Sequence, residues 1–154
     1  MASHSDRLAA LGLSLPPVPK PVAAYVPVVR HGDLLFLSGQ IPFRDGAVQH
    51  PGRVGGRVTR EHAQEAARIC TLNAIAAAAE AAGGINKLAR VIKLVVYVAS
   101  EPGFTEQHVV ANGASNLIKD VFGEAGLHAR AAVGVAELPL NASVEVDVTF
   151  ALAL

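Results

Sequence analysis

HARAAVGVAELP, residues 128–139, is a run of small and β-branched residues headed by one arginine, and its reading decides how the rest of the chain is assembled. Read as a strand, it puts Arg130, Ala132 and Gly134 on one face and Ala131, Val133 and Val135 on the other, since successive side chains alternate. A guanidinium does not give up its proton, so Arg130 needs an anionic partner, either a carboxylate of the chain or one brought by a ligand. The segment that follows, SVEVDVTF (143–150), alternates Val144, Val146 and Val148 with Glu145, Asp147 and Thr149. If the two strands are neighbours, Glu145 or Asp147 lies within reach of Arg130 across the pair, as a structural ion pair. The small residues Ala132 and Gly134 point the other way: they leave room beside a planar fork that suits a bound carboxylate held by two parallel hydrogen bonds. Both readings stand at this point.

Upstream of this pair the chain reads as alternating strands and helices. AAYVPVV (23–29) and LLFLS (34–38) are two strands joined through the His31-Gly32-Asp33 turn. A glycine-rich loop with short strands spans 43–58, and Thr59 is a good N-cap for a long helix ending at Gly83-Gly84. Alanines 63, 66, 67, 74, 77, 78 and 81 recur along that helix at helical spacing and form a smooth face that can lie close to a sheet. RVIKLVVYVA (90–99) is a strand, a second helix covers 106–122, and the last two strands are 129–137 and 143–152. The reading is therefore an α+β domain over residues 23–154, preceded by an N-terminal arm over 1–22 in which a short amphipathic helix runs into the proline-rich PPVPKP.

Composition narrows the function. The chain has 154 residues, enough for one core that buries roughly 70% of the unfolded surface. Hydrophobic residues make up 51% and charged residues 17%, against about 25% charged in ordinary soluble domains. With a mean hydropathy of +0.37 and no apolar run long enough to span a bilayer, the expectation is a surface buried between subunits and no membrane partner. Lysine plus arginine (13) equals aspartate plus glutamate (13), and no basic stripe is present, which disfavours nucleic acid. The single Cys70 excludes an internal disulfide and fits a reducing, cytoplasmic setting. The N-terminal RLAALGLSL is too brief an apolar run, with Asp6 ahead of it, for a signal peptide. The six histidines lack metal-ligand spacing, the 43–58 loop lacks a GK[ST] ending, and Ser38 lacks a GxSxG setting.

Taken in order, AAYVPVV, LSGQIP (37–42), HARAAVGVAELP and VEVDV (144–148) resemble the YjgF, RidA or L-PSP family, whose members are often reactive-imine deaminases. The resemblance covers Tyr25 to Phe150, and SGQIP together with the arginine-headed strand ending in LP is its most specific part. It implies a chorismate-mutase-like fold, a mixed β-sheet with two helices on one face, assembled as a homotrimeric barrel with clefts between subunits. It also implies that Arg130 holds the carboxylate of a 2-imino or enamine acid and that Glu145 orients a water. Tyr25, Ser38 and Asn112 would line the cleft, with neither metal nor organic cofactor required. Where many members carry a cysteine two residues after the arginine, this chain has Ala132, whose backbone carbonyl can still hold a water; His128 either brings a titrating group to the cleft as a further substrate contact or simply hydrogen-bonds in place. The implied activity is hydrolysis of such acids to 2-keto acids and ammonia. The alternatives are a trimer that binds small carboxylates without turnover and, disfavoured by the charge balance, a ribonuclease or translation inhibitor.

Overall fold

The structure, a computed structural model, describes residues 1–20 and 23–153; Pro21 and Val22, at the expected boundary between arm and domain, and Leu154 lie outside the described residues. In chain order the elements are helix α1 (His4–Ala10), strands β1 (Val28–His31), β2 (Leu34–Leu37), β3 (Phe43–Arg44) and β4 (Ala47–Val48), helix α2 (Arg60–Ala82), strand β5 (Leu88–Ala99), helix α3 (Gln107–Phe122), and strands β6 (Ala129–Val135) and β7 (Val144–Leu152).

Local chemistry sets these bounds. The Thr59 hydroxyl accepts from the His62 amide at the start of α2, and Gly83 ends the helix in the left-handed conformation at φ 81°. Ser3 and Asp6 form a reciprocal capping box on α1. The first strand is shorter than the sequence suggests: residues 23–27 stay outside the sheet and pairing begins at Val28, because Pro27 has no amide hydrogen to give a ladder.

Five strands form one mixed sheet in the order β1-β2-β7-β5-β6, with β3 and β4 as a separate hairpin. β5 runs antiparallel to β7 and parallel to β6, so the chain leaves β5, passes through α3 as a crossover, and returns as the edge strand β6. The condition on which an Arg130–Glu145 pair depended, that the last two strands are neighbours, is therefore not met. β5 lies between β6 and β7, and proximity in sequence does not decide proximity in the sheet.

One face of the sheet is covered by α2 and α3. Leu35 and Leu37, Val91, Leu94, Val96 and Val98, and Val144, Val146, Val148 and Phe150 all turn toward those helices and are buried. Ala63, Ala66, Ala67, Ala74, Ala77 and Ala78 of α2 are buried, whereas Ala81, expected on the same face, is exposed. The two helices cross closely at Gly113, where any Cβ would run into the backbone carbonyl of Gln64. α1 docks on α3: Leu8 is buried, the His4 and Phe122 rings lie 4.7 Å apart, and a His4 ring nitrogen sits 2.9 Å from the Leu88 carbonyl. Among the described residues no helix is long and apolar enough to cross a membrane.

Among the described residues no helix lies over the opposite face of the sheet. It carries Val29 and Phe36, both exposed, then Glu145 and Asp147, then Tyr97 and Val133. Along β7 the alternation is strict, buried valine against half-exposed acid.

Candidate functional site

Arg130 is placed by two independent constraints. Its register partner on β5 is the buried Leu94, so the arginine leaves β6 on the helix-covered side, at the sheet edge. There α3 meets it. Nη1 donates to Asn112 Oδ1 at 2.9 Å and to Ser115 Oγ at 3.2 Å, and Nη2 donates to the His108 carbonyl at 3.3 Å. Asn112 and Ser115 are three residues apart, hence on one helical face.

All three acceptors are neutral, and among the described residues no carboxylate forms an ion pair with Arg130. Three bonds to a group with five donors leave at least two N–H free, Nε–H among them. Nε–H and a neighbouring Nη–H are the kind of donor pair that a carboxylate engages with both oxygens.

Behind the arginine sits His128. Nδ1 lies 2.6 Å from the Gly126 carbonyl, which only accepts, so the ring donates there. In the neutral imidazole Nε2 is then the acceptor of the Ser115 hydroxyl at 2.9 Å, which leaves the Ser115 lone pairs for Arg130. With both ring nitrogens used in this way, His128 backs the arginine through Ser115 and presents neither nitrogen to a ligand.

Ala132 lies on the same face of β6, partly buried against the core. Gly134, expected to leave free volume, does not: Gln107 Nε2 stands 2.8 Å from where its Cβ would be, and Ser100 Oγ 3.2 Å. The open volume beside Arg130 is at its solvent side and not along the strand.

Glu145 belongs to the other face. It pairs with Tyr97 on β5, and together with Gly39, Leu138 and Asp147 these residues line a cavity of about 210 Å³. The Glu145 carboxylate lies directly over Gly39, so close that a Cβ there would meet Oε1, with Cδ at 2.9 Å and Cγ at 3.2 Å. Burial pushes the Glu145 carboxyl above its usual range, and the neighbouring Asp147 charge adds to the rise. Burial raises Asp147 as well.

Tyr25 and Ser38 line the neighbouring surface together with Gly39, the residue under this acid. The Ser38 hydroxyl donates to the Val26 carbonyl at 2.6 Å, tying the segment that carries Tyr25, 60% exposed, to the end of β2. Gln40 exchanges backbone hydrogen bonds with Val146 at 2.8 and 2.9 Å, which fixes Gly39 under Glu145.

Within one chain, then, the sequence-derived residues fall into two groups. Arg130, Asn112, Ala132 and His128 stand at the β6 edge beside α3, and Tyr25, Ser38 and Glu145 at the open face. The Arg130–Glu145 pair across neighbouring strands does not form. β5 intervenes, two strand spacings amount to about 10 Å, and the side chains leave opposite faces of the sheet. Three contributors escaped the sequence reading: Ser115, Tyr97 and Gly39. Tyr97 carried a signal, as the one polar side chain in an otherwise apolar LVVYVA run.

The family model described as "YjgF/chorismate_mutase-like, putative endoribonuclease" matches residues 5–152. The chain belongs to this family. Similar proteins include TCP17 of Trypanosoma cruzi, 47% identical over 148 residues that cover 93% of this chain and 92% of that protein. A 2-iminobutanoate/2-iminopropanoate deaminase of Dermatophagoides farinae is 32% identical, covering 88% of this chain and 91% of the relative. Among solved structures, the protein Atu1372 of Agrobacterium tumefaciens, described as of unknown function, superposes with a TM-score of 0.90 at 47% identity over 99% of this chain and 93% of that one. The YjgF/chorismate-mutase-like fold inferred from the sequence is therefore the fold of this chain, as a mixed α+β sheet with three helices.

Proposed function

We propose that this YjgF-family chain hydrolyses reactive 2-imino acids, and the enamines that tautomerise to them, to 2-keto acids and ammonia. The observation that carries this reading is the state of Arg130, held by three neutral acceptors with Nε–H and at least one further N–H left free. A fixed, uncompensated guanidinium is a receptor for a small carboxylate.

The half-buried acid supplies the second element. With the substrate carboxylate on Arg130, water adds to C2 of the imine, the nitrogen takes up a proton, and the tetrahedral adduct collapses to expel ammonia and leave the keto acid. Glu145, its pKa raised, both directs the water and carries a proton to the departing nitrogen. An imine is already an activated electrophile, so positioning provides much of the rate.

Because Arg130 and Glu145 leave opposite faces of one sheet, a single small acid touches both only where two copies of the chain meet. An edge strand bearing Val133, 42% exposed, and an open face bearing Phe36, 46% exposed, offer the two sides of such an interface. The assembly we propose is a homotrimer with three such clefts, each taking Arg130 and Asn112 from one chain and Tyr25, Ser38 and Glu145 from the next. The identity with a named imine deaminase supports the reading.

The test is ammonia release from freshly generated 2-iminopropanoate and 2-iminobutanoate. Wild type accelerates it and Arg130→Ala does not. Keto-acid binding without any acceleration would favour the non-catalytic carboxylate-binding trimer, and unchanged activity in Arg130→Ala would remove the arginine from the mechanism.

A further inference from the structure

A groove of about 770 Å³ adjoins the acid, and nothing in the hydrolysis of an imino acid with a one- or two-carbon side chain needs it. Its walls include Pro17 and Val18 of the N-terminal arm, Tyr25, Ile41, Phe43 and Leu140. Ser38 and Gly39 line it too, and Gly39 is the residue over which the Glu145 carboxylate lies. The groove and the smaller acid-lined cavity thus meet at one glycine. We propose that this groove is the side-chain subsite of the reaction above, and that it selects 2-imino acids with large apolar side chains, branched or aromatic, over 2-iminopropanoate. The inference rests on the functional reading of Arg130 and Glu145.

Three features support a ligand subsite. The groove is preformed: Asn73 Nδ2 donates to the Ile41 carbonyl at 3.2 Å and the Phe43 carbonyl at 2.9 Å, pinning one wall to α2, while Leu13, Leu15 and Val18 pack the arm against the core. Its size and largely apolar lining are those of small-molecule pockets. Its charged lining residues are Lys20, Arg44 and Asp45, and the Arg44 guanidinium is already engaged, 3.9 Å from Asp45 and 4.0 Å from Glu65. A substrate anchored by its carboxylate, with C2 against Glu145, therefore sends its side chain past Gly39 onto an apolar floor.

The experiment compares pyruvate, 4-methyl-2-oxopentanoate and phenylpyruvate by calorimetry on the full chain, alongside kcat/KM for the imines generated from alanine, leucine and phenylalanine. Each extra apolar group accommodated by a pocket is worth about tenfold or more in discrimination. The leucine- or phenylalanine-derived acid is expected to be favoured by at least that factor over the alanine-derived one, in both binding and turnover. Phe43→Ser, at an exposed position of the β3–β4 hairpin, is expected to shrink the ratio, and Leu140→Ser to do the same from the other wall. Equal or reversed preference in the wild type, or a ratio untouched by both variants, overturns the subsite while leaving imine hydrolysis intact. If no keto acid binds and no imine is turned over, the reading of Arg130 and Glu145 falls and takes the subsite with it.

Discussion

Gly39→Ala isolates the contribution of Glu145 without touching it. The Gly39 backbone is outside the left-handed region, so alanine is tolerated there, and the three nearest atoms to a methyl group all belong to the flexible Glu145 side chain, its carboxylate foremost. The methyl therefore displaces the carboxylate and leaves the backbone in place. Two consequences have opposite signs. Loss of a positioned acid–base group lowers kcat/KM by about 10²-fold or more. Replacing glycine at a compatible position reduces the entropy of the unfolded chain and adds about 0.4–1 kcal/mol of stability, which for a chain of this length raises Tm by roughly 1–4 °C. The assay is coupled ammonia release on 2-iminobutanoate, with a thermal melt in parallel. A double-mutant cycle closes the argument: in a Glu145→Ala background, Gly39→Ala costs nothing further. Full activity in the single variant, or losses that add in the double variant, would refute the claim that Gly39 matters through the carboxylate above it.

The hydrogen-bond chain from His128 to Arg130 makes Ser115→Ala a positioning variant. It removes one acceptor from the guanidinium, and KM is expected to rise about fivefold with kcat little changed, in line with one lost hydrogen bond of about 1 kcal/mol, while Ser115→Thr restores it. A fall in kcat at unchanged KM would contradict this. Glu145→Gln tests the half-buried acid through stability. Because the folded-state pKa lies above the usual 4.5, the ionised carboxylate weighs against folding at neutral pH, and this burden disappears as pH falls below the unfolded value. The variant is expected to melt higher than wild type at pH 7 and the same at pH 3.5. A gain that persists or grows in acid would contradict the assignment.

Much of the architecture could be read from the sequence where local chemistry decides it. The Thr59 cap and the left-handed Gly83 bound α2 within the predicted limits, and the alternation of β7 placed Glu145 and Asp147 on one face and the valines on the other. The order of strands in the sheet could not be read in the same way. Alternation says which face a side chain takes and nothing about which strand lies beside it, so β6 and β7, adjacent in sequence, invited a pairing that β5 occupies instead. The same limit hid Ser115 and Gly39. A serine in mid-helix and a glycine after a strand carry no mark of the groups that the fold sets against them, His128 and Arg130 in one case and Glu145 in the other. The arm-lined groove is less visible still, since its walls come from residues 16–20, 25, 27, 38–41, 43–46, 73 and 140, brought together only by the tertiary fold.

The central claim is that one cleft takes Arg130 from one chain and Glu145 from another. It is tested most directly by mixing two inactive proteins, Arg130→Ala and Glu145→Gln, after reversible dissociation or by co-expression. In a closed three-fold ring with random assortment, a cleft is intact when its arginine comes from a Glu145→Gln chain and its glutamate from an Arg130→Ala chain, so about one quarter of wild-type activity returns. If both residues served a cleft within one chain, no mixture would contain an intact site. Activity that stays at the level of the separate variants, in a preparation shown to contain mixed oligomers, contradicts the account.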